Sequence, residues 1–253
     1  MKILIIGFGV VGKNMADVFT DADIFDPLYP TISCNENKFH DLAFVCVPTD
    51  MKEDGSCDIS IVKKVLLHHF NFVHTFCIRS TIPPGTTEKL KHELKFPNIV
   101  FSPEYFGATI HANNPNYEFV TLGGDSINTA YVAKAYIEIK HPEFVIHQTD
   151  SKSAELCKYM ENSFLALKVI FCNEFYRIAK KAKVDYTELR ELFLADPRMN
   201  RSHTFVYDDH PYYDSPCLNK DIPALIAYAE QIGYTPKLMK QVLDSNNDFK
   251  KGI

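Results

Sequence analysis

A chain of 253 residues with 46% hydrophobic and 23% charged residues has an ordinary globular balance, and it is long enough for one large domain or two smaller ones. The net charge of -5, with no basic run and no basic patch interleaved with aromatics, argues against nucleic acid as a partner. No apolar run is long enough to cross a bilayer, and no tract is biased enough to be disordered.

The opening "MKILIIGFGVVG" is too short and too soon broken by glycine for a signal segment, and reads as a buried strand entering a turn. "GKNMADVFT" then reads as a helix and "ADIFD" as a second strand. "DLAFVCVPT" is a strand, "ISIVKKVLLHHF" a helix, "HTFCIRST" a strand, "TTEKLKHEL" a helix and "NIVFSPEY" a strand. "EFVTLGG" and "EFVIHQT" complete the set. Strands rich in Val, Ile and Phe that alternate with helices predict a mostly parallel sheet with covered faces.

The pattern changes near Thr149. More than thirty residues follow without Gly or Pro, with apolar residues at helical spacing, Asp150 or Ser151 as N-cap and lysines 180, 181 and 183 at the far end. "DYTELRELFLAD" and "DIPALIAYAEQIG" predict shorter helices. The expected architecture is α/β: a Rossmann-like dinucleotide-binding domain over 1–149, then a long helix and an all-helical domain over 150–253.

"GFGVVG" follows a strand and opens a helix. Gly7 permits the tight turn, Gly9 a close backbone approach to a pyrophosphate, and Gly12 close helix–strand packing. Asp26 ends the second strand 19 residues beyond Gly7, where a ribose-binding acid is expected. An acid there favours NAD over NADP, because it repels a 2′-phosphate. On the long helix, Glu155, Lys158 and Asn162 share one face. A lysine beside an amide can stabilise an alkoxide, whereas a solvated polar stripe is the plainer reading.

The seven cysteines, at 34, 46, 57, 77, 157, 172 and 217, form no CxxC pair, which fits reduced thiols in a cytoplasmic protein. Cys46, Cys77 and Cys172 lie in apolar runs and read as core. Cys217, in "YDSPCLNKD", has polar neighbours and lies just before a helix predicted to start at Asp221. It is either a nucleophile with Lys220 nearby or a small buried hydrophobe. His68, His69, His203 and His210 lack ligand spacing, so no metal is expected.

These segments resemble the UDP-glucose/GDP-mannose dehydrogenase family through "GFGVVG", "FVCVPTD", "IRSTIPPGTTEKL", "FSPEY", "AELCKYMENSFLALKVIFCNE", "DPRM" and "SPCLNKD". The resemblance implies oxidation of a nucleotide-sugar C6 alcohol to the acid, with two NAD and a cysteine carrying thiohemiacetal and thioester intermediates. It implies Cys217 as nucleophile, Lys158 with Asn162 as oxyanion stabilisers, and Asp221 as the partner of the catalytic lysine and a water. Glu104 is then the base for thioester hydrolysis, and Thr81 holds the same water. NAD is expected along Gly7, Gly9, Val10, Val11, Gly12, Asp26, Val47, Pro48, Thr49, Thr81 and Glu104. Substrate is expected at Tyr105, Phe106, Lys158, Asn162 and Arg198, the last reaching a neighbouring subunit of a homodimer.

The sequence departs from the family pattern in three places. No glycine run precedes Cys217, Ala108 stands where a second glutamate is usual, and the chain stops where a third, nucleotide-binding domain normally begins, which reads as a short form. Two other readings share many of these features. One is a family member or fragment that binds NAD without turnover, and the other is a β-hydroxyacid-type dehydrogenase, which also carries a lysine and asparagine four residues apart.

Overall fold

The computed structural model describes residues 1–34, 38–105 and 118–252. The chain divides into two compact units, Met1–Lys158 and Tyr159–Ile253.

In the first unit the glycine turn links β1 (Ile3–Ile6) to α1 (Val10–Val18), and β2 (Asp23–Phe25) lies at the sheet edge. There follow β3 (His40–Val45), α2 (Ser60–His69), β4 (Val73–Ile78), α3 (Thr86–Leu94), β5 (Ile99–Phe101), β6 (Phe119–Gly123), α4 (Ser126–Ile137) and β7 (Val145–Thr149). Strand order is β2-β1-β3-β4-β5-β6-β7. All pairings are parallel except β5 with β6, which meet antiparallel at Phe101 and Gly123. The fold is therefore α/β and Rossmann-like, with its order reversing between β1 and β3. That switch point opens a crevice at the carboxyl ends of those strands.

Burial follows from composition. Ala43, Val45, Phe76 and Ile78 pack in one apolar cluster, while Phe44 and Cys77, which alternate with them, belong to a second. A strand covered on both faces needs such a continuous apolar run. Burial pushes the Cys77 thiol up to about 12 and Cys46 above its ordinary range, as inert core thiols require.

Helix α4 was not anticipated from the sequence. Its apolar and polar residues are not segregated to opposite faces, because Asn128 and Thr129 are themselves buried. Asn128 donates to the Pro97 carbonyl at 3.0 Å and Thr129 to Gln148 at 2.7 Å, so their polarity is satisfied inside.

Helix α5 (Ser151–Ala182) is the long one, 32 residues, about 48 Å at 1.5 Å per residue. Asp150 caps it, accepting from the Ser153 backbone N–H at 2.9 Å. In the second unit α6 (Tyr186–Phe193), α7 (Pro216–Gln231) and α8 (Lys237–Lys250) follow. An apolar cluster of Ala166, Ile170, Leu218, Ile222, Ile226 and Val242 holds α5, α7 and α8 together.

The start of α7 corrects the sequence reading. Pro216 and Pro223 are each compatible with a first helical turn, but Ser215 decides, accepting from the Leu218 N–H at 3.2 Å as N-cap. Cys217 therefore lies inside the first turn rather than ahead of the helix. Helix α8 was likewise not anticipated: Met239, Val242, Leu243 and Phe249 do form an apolar stripe packed on the core, but the polar second half, "DSNNDFK", obscures it in the sequence.

Candidate functional site

The glycine turn is built as a cradle. A Cβ on Gly7, whose φ is +93°, would meet the Cys46 carbonyl oxygen at 2.6 Å, and one on Gly12 would meet the Gly7 carbonyl at 1.9 Å. Both positions thus exclude side chains. Around Gly9 nothing lies within 4 Å of such a Cβ, so its bare backbone faces open space beside the N-terminus of α1. Val10 is exposed and Val11 half-buried on the first turn of that helix.

Asp26 fastens this turn. Its carboxylate accepts from the Phe8 N–H at 2.6 Å and the Leu28 N–H at 2.8 Å, tying the tip of the glycine turn to the turn after β2. Lys13, which the sequence reading did not single out, holds its ammonium 5.7 Å from the Phe8 ring and 5.6 Å from the Tyr29 ring.

After β3 the chain runs through Val47, Pro48 and Thr49, respectively half-buried, exposed and buried. The Val47 carbonyl accepts from Ser80 at 2.6 Å, which brings this segment against the residue before Thr81. Thr81 is half-buried, and its carbonyl lies 3.7 Å from the Cys57 thiol.

Glu104 is buried and accepts from Arg79 Nη2 at 2.6 Å and from the Tyr105 N–H at 2.8 Å; Arg79 Nη1 also donates to Ser102 at 2.5 Å. Burial works against the guanidinium's charge, but the Glu104 carboxylate, joined by Tyr136 and Cys77, outweighs it, so Arg79 titrates above its ordinary range. Arg79 carries no role among the motifs of the sequence. A charged residue closing the apolar strand "HTFCI" was the available signal. Phe106 and Ala108 lie outside the described residues.

The face of α5 shared by Glu155, Lys158 and Asn162 is buried, with relative exposures of 0%, 7% and 4%, so it is not a solvated stripe. Glu155 serves structure: it accepts from the Gly85 N–H at 2.5 Å and from the Thr87 N–H at 2.8 Å, at the N-terminus of α3. Burial pushes its carboxyl up to about 7 against the pull of those donors. Lys158 lies 5.4 Å from the Tyr105 ring, which brings two expected substrate residues together in the first unit.

In the second unit Asn162 donates to Asp221 Oδ2 at 2.6 Å, and the Lys220 ammonium pairs with Asp221 Oδ1 at 2.7 Å. Asp221 is 2% exposed. Cys217, half-buried, precedes it by one turn of α7 and so shares its face. Arg198 is exposed, and its guanidinium pairs with Asp196 at 2.5 Å.

Asp23, Cys34 and His40 form a group the sequence reading did not single out, their ligand-type atoms lying within 4.8 Å of one another. Lys38, whose ammonium is 2.5 Å from Asp23 Oδ2, already supplies a positive charge there. Among the described residues no helix is long and apolar enough to cross a membrane.

A parallel sheet with a side-chain-free glycine cradle at its switch point, closed by an acid at the end of β2, defines a dinucleotide-binding fold of the dehydrogenase kind. The model for the NAD-binding domain of the UDP-glucose/GDP-mannose dehydrogenase family matches residues 29–140, and that for its central domain matches 152–248. The chain belongs to this family, and its cofactor is NAD. The UDP-glucose 6-dehydrogenase TuaD of Bacillus subtilis is 29% identical over 220 residues, 81% of this chain and 46% of that protein. The chain spans about half the length of the curated relatives it matches.

Among solved structures, a UDP-glucose dehydrogenase from Pyrobaculum islandicum superposes with TM-score 0.78 at 21% identity, over 97% of this chain and 68% of that one. A 3-hydroxyisobutyrate dehydrogenase from Mycobacterium tuberculosis reaches 0.72 at 14% identity, over 98% and 93%. At these identities the likeness is one of fold.

Proposed function

We propose that the chain oxidises the C6 alcohol of a nucleotide sugar to the acid, with Cys217 as covalent nucleophile. One observation carries the reading: a buried Asp221 accepts from Asn162 and Lys220 one helical turn after Cys217. A carboxylate with two donors is fixed in place, and it fixes the amide that faces it. NAD, when bound, supplies the hydride acceptor for both oxidations.

In this reading the Cys217 thiolate adds to the C6 aldehyde, and Lys158 and Asn162 stabilise the resulting alkoxide. Loss of hydride leaves a thioester. Glu104, with Thr81, holds the water that hydrolyses it, and Asp221 orients the lysine and water. Tyr105, Phe106 and Arg198 are the proposed substrate contacts. Residues 1–149 form the cofactor module and 150–253 the helical one.

The helical module carries an exposed stripe of Phe164, Phe171, Phe175 and Ile178, spaced seven, four and three residues apart along α5. A stripe of that length supports a homodimer with α5 at its seam. Seven cysteines, all thiols, support a cytoplasmic setting.

The test is NADH formation, followed by absorbance, with UDP-glucose, UDP-N-acetylmannosamine or GDP-mannose, run beside Cys217→Ala. Two NADH per sugar, with no acid from the variant, is the expected result. Equal turnover by Cys217→Ala would sink the covalent mechanism, and oxidation of a small hydroxy acid by both proteins would favour β-hydroxyacid chemistry instead. Binding of NAD with no turnover of any sugar would favour a binding role.

A further inference from the structure

The backbone that leads into Cys217 contains no glycine, yet it must deliver a side chain into a defined position. Helix α8 contacts this segment at three consecutive residues, Tyr212 and Asp214 through their side chains and Tyr213 through its backbone. Lys250 places its ammonium 5.6 Å from the Tyr212 ring. Asn246 accepts from the Tyr213 N–H at 2.9 Å and donates to the Tyr213 carbonyl at 3.1 Å, so one side-chain amide satisfies both backbone groups of a single residue. Lys250 then pairs with Asp214 at 2.6 Å, and Asn219 of α7 donates to the same carboxylate oxygen at 2.8 Å.

The next residue, Ser215, is the N-cap of α7, and Cys217 follows two positions later. Asn246 and Tyr213 are 1% and 4% exposed. A buried amide matched to both the N–H and the C=O of Tyr213 holds the two peptide units that flank its Cα, and leaves that residue's backbone little freedom. Losing either bond would strand a buried polar group.

We infer that Asn246, reinforced by Lys250, is the positioning residue that sets Cys217 for attack, a clamp from α8 in place of a glycine-rich loop. The inference rests on the proposed role of Cys217. Asn246 itself touches neither substrate nor cofactor; it acts through Tyr213 and the capped first turn of α7. The bonds in question join residues 33 positions apart, so they depend on α8 being packed against α7.

The test needs no substrate. Alkylation by iodoacetamide is followed as a function of pH, with each cysteine read separately by mass spectrometry. Exposed Cys157 serves as the reference thiol in the same molecule, and buried Cys46 and Cys77 report that the fold is intact. In the native chain the pH–rate profile of Cys217 should differ from that of Cys157. In Asn246→Ala it should converge on Cys157, with the ratio of the two rates within about twofold of one. Lys250→Met, which leaves the buried amide in place, should give an intermediate profile.

A native-like Cys217 profile in both variants would overturn the clamp while leaving the nucleophile reading intact. Coincident Cys217 and Cys157 profiles already in the native chain would overturn both. Should Asn246→Ala make Cys46 and Cys77 reactive, Lys250→Met decides: an unchanged Cys217 profile in that variant refutes the clamp.

Discussion

Asn162 on α5 and Asp221 on α7 are joined by a 2.6 Å hydrogen bond between two buried side chains 59 positions apart in sequence. The bond ties the long helix to the helix of Cys217 inside the second unit, and its acceptor also holds Lys220. Removing the donor by Asn162→Ala leaves a buried carboxylate with one partner fewer. Stability should fall by about 2 kcal/mol, the value for hydrogen bonds to charged groups. Urea denaturation measures this; a change below about 0.5 kcal/mol would show that Lys220 alone suffices.

Glu155 makes stability depend on pH in a direction unusual for a carboxylate. Its folded value, about 7, is above the ordinary 4.5, because burial outweighs the donors of α3. The folded state therefore holds a proton that the unfolded state releases. The contribution is complete below pH 4.5 and is lost as pH rises to about 7, at about 1.4 kcal/mol per pH unit. Glu155→Gln, neutral throughout, should flatten that part of the stability–pH curve. A slope retained in the variant assigns it to another group.

Gly12 and Gly9 of the glycine turn should respond to alanine in different ways. Gly12→Ala drives a Cβ into the Gly7 carbonyl and should cost about 3 kcal/mol of stability as well as NAD binding. Gly9→Ala meets no protein atom and its φ of -77° suits alanine, so the fold should stay as stable while NAD affinity drops. Thermal melts and calorimetric titration with NAD separate the two. Equal NAD affinity in Gly9→Ala and the native chain would move the pyrophosphate elsewhere.

Arg79 and Glu104 form a buried pair, so breaking it with Arg79→Met should cost about 4 kcal/mol. Arg79→Lys keeps the charge but not the fork that reaches Ser102 and Glu104 together, and should recover only part of that loss. Full recovery by lysine, judged by chemical denaturation, would mean that charge rather than geometry matters there.

The exposed stripe on α5 yields a hydrodynamic prediction. Phe171→Glu with Phe175→Glu should convert the proposed dimer to monomer in light scattering behind size exclusion, with little loss of helicity. A native chain already monomeric at tens of micromolar would remove α5 from consideration as a seam.

Local features were readable in the sequence and long-range ones were not. Gly7, Gly9 and Gly12 announce the glycine turn because spacing along one strand–turn–helix unit carries the information, and Asp26 follows the next strand at a fixed distance from it. The long helix is equally plain from its uninterrupted periodicity. Helix α4 hides because Asn128 and Thr129 are buried with their hydrogen bonds satisfied, which periodicity cannot register. The first turn of α7 was misplaced because two prolines compete to mark it and a single serine decides. The grips of Asn246 on Tyr213 and of Arg79 on Glu104 join residues 33 and 25 positions apart, and no local pattern encodes them.

Asp26 has a consequence for how this chain can change. The carboxylate that would discriminate against a 2′-phosphate is also the fastener between Phe8 and Leu28. Exchanging it for a small neutral residue, the obvious step toward NADP, would release the tip of the cradle at the moment the repulsion is lifted. Cofactor preference and cradle shape are thus inherited together, and a lineage leaving NAD would need a second substitution to refasten the turn before the first could be tolerated.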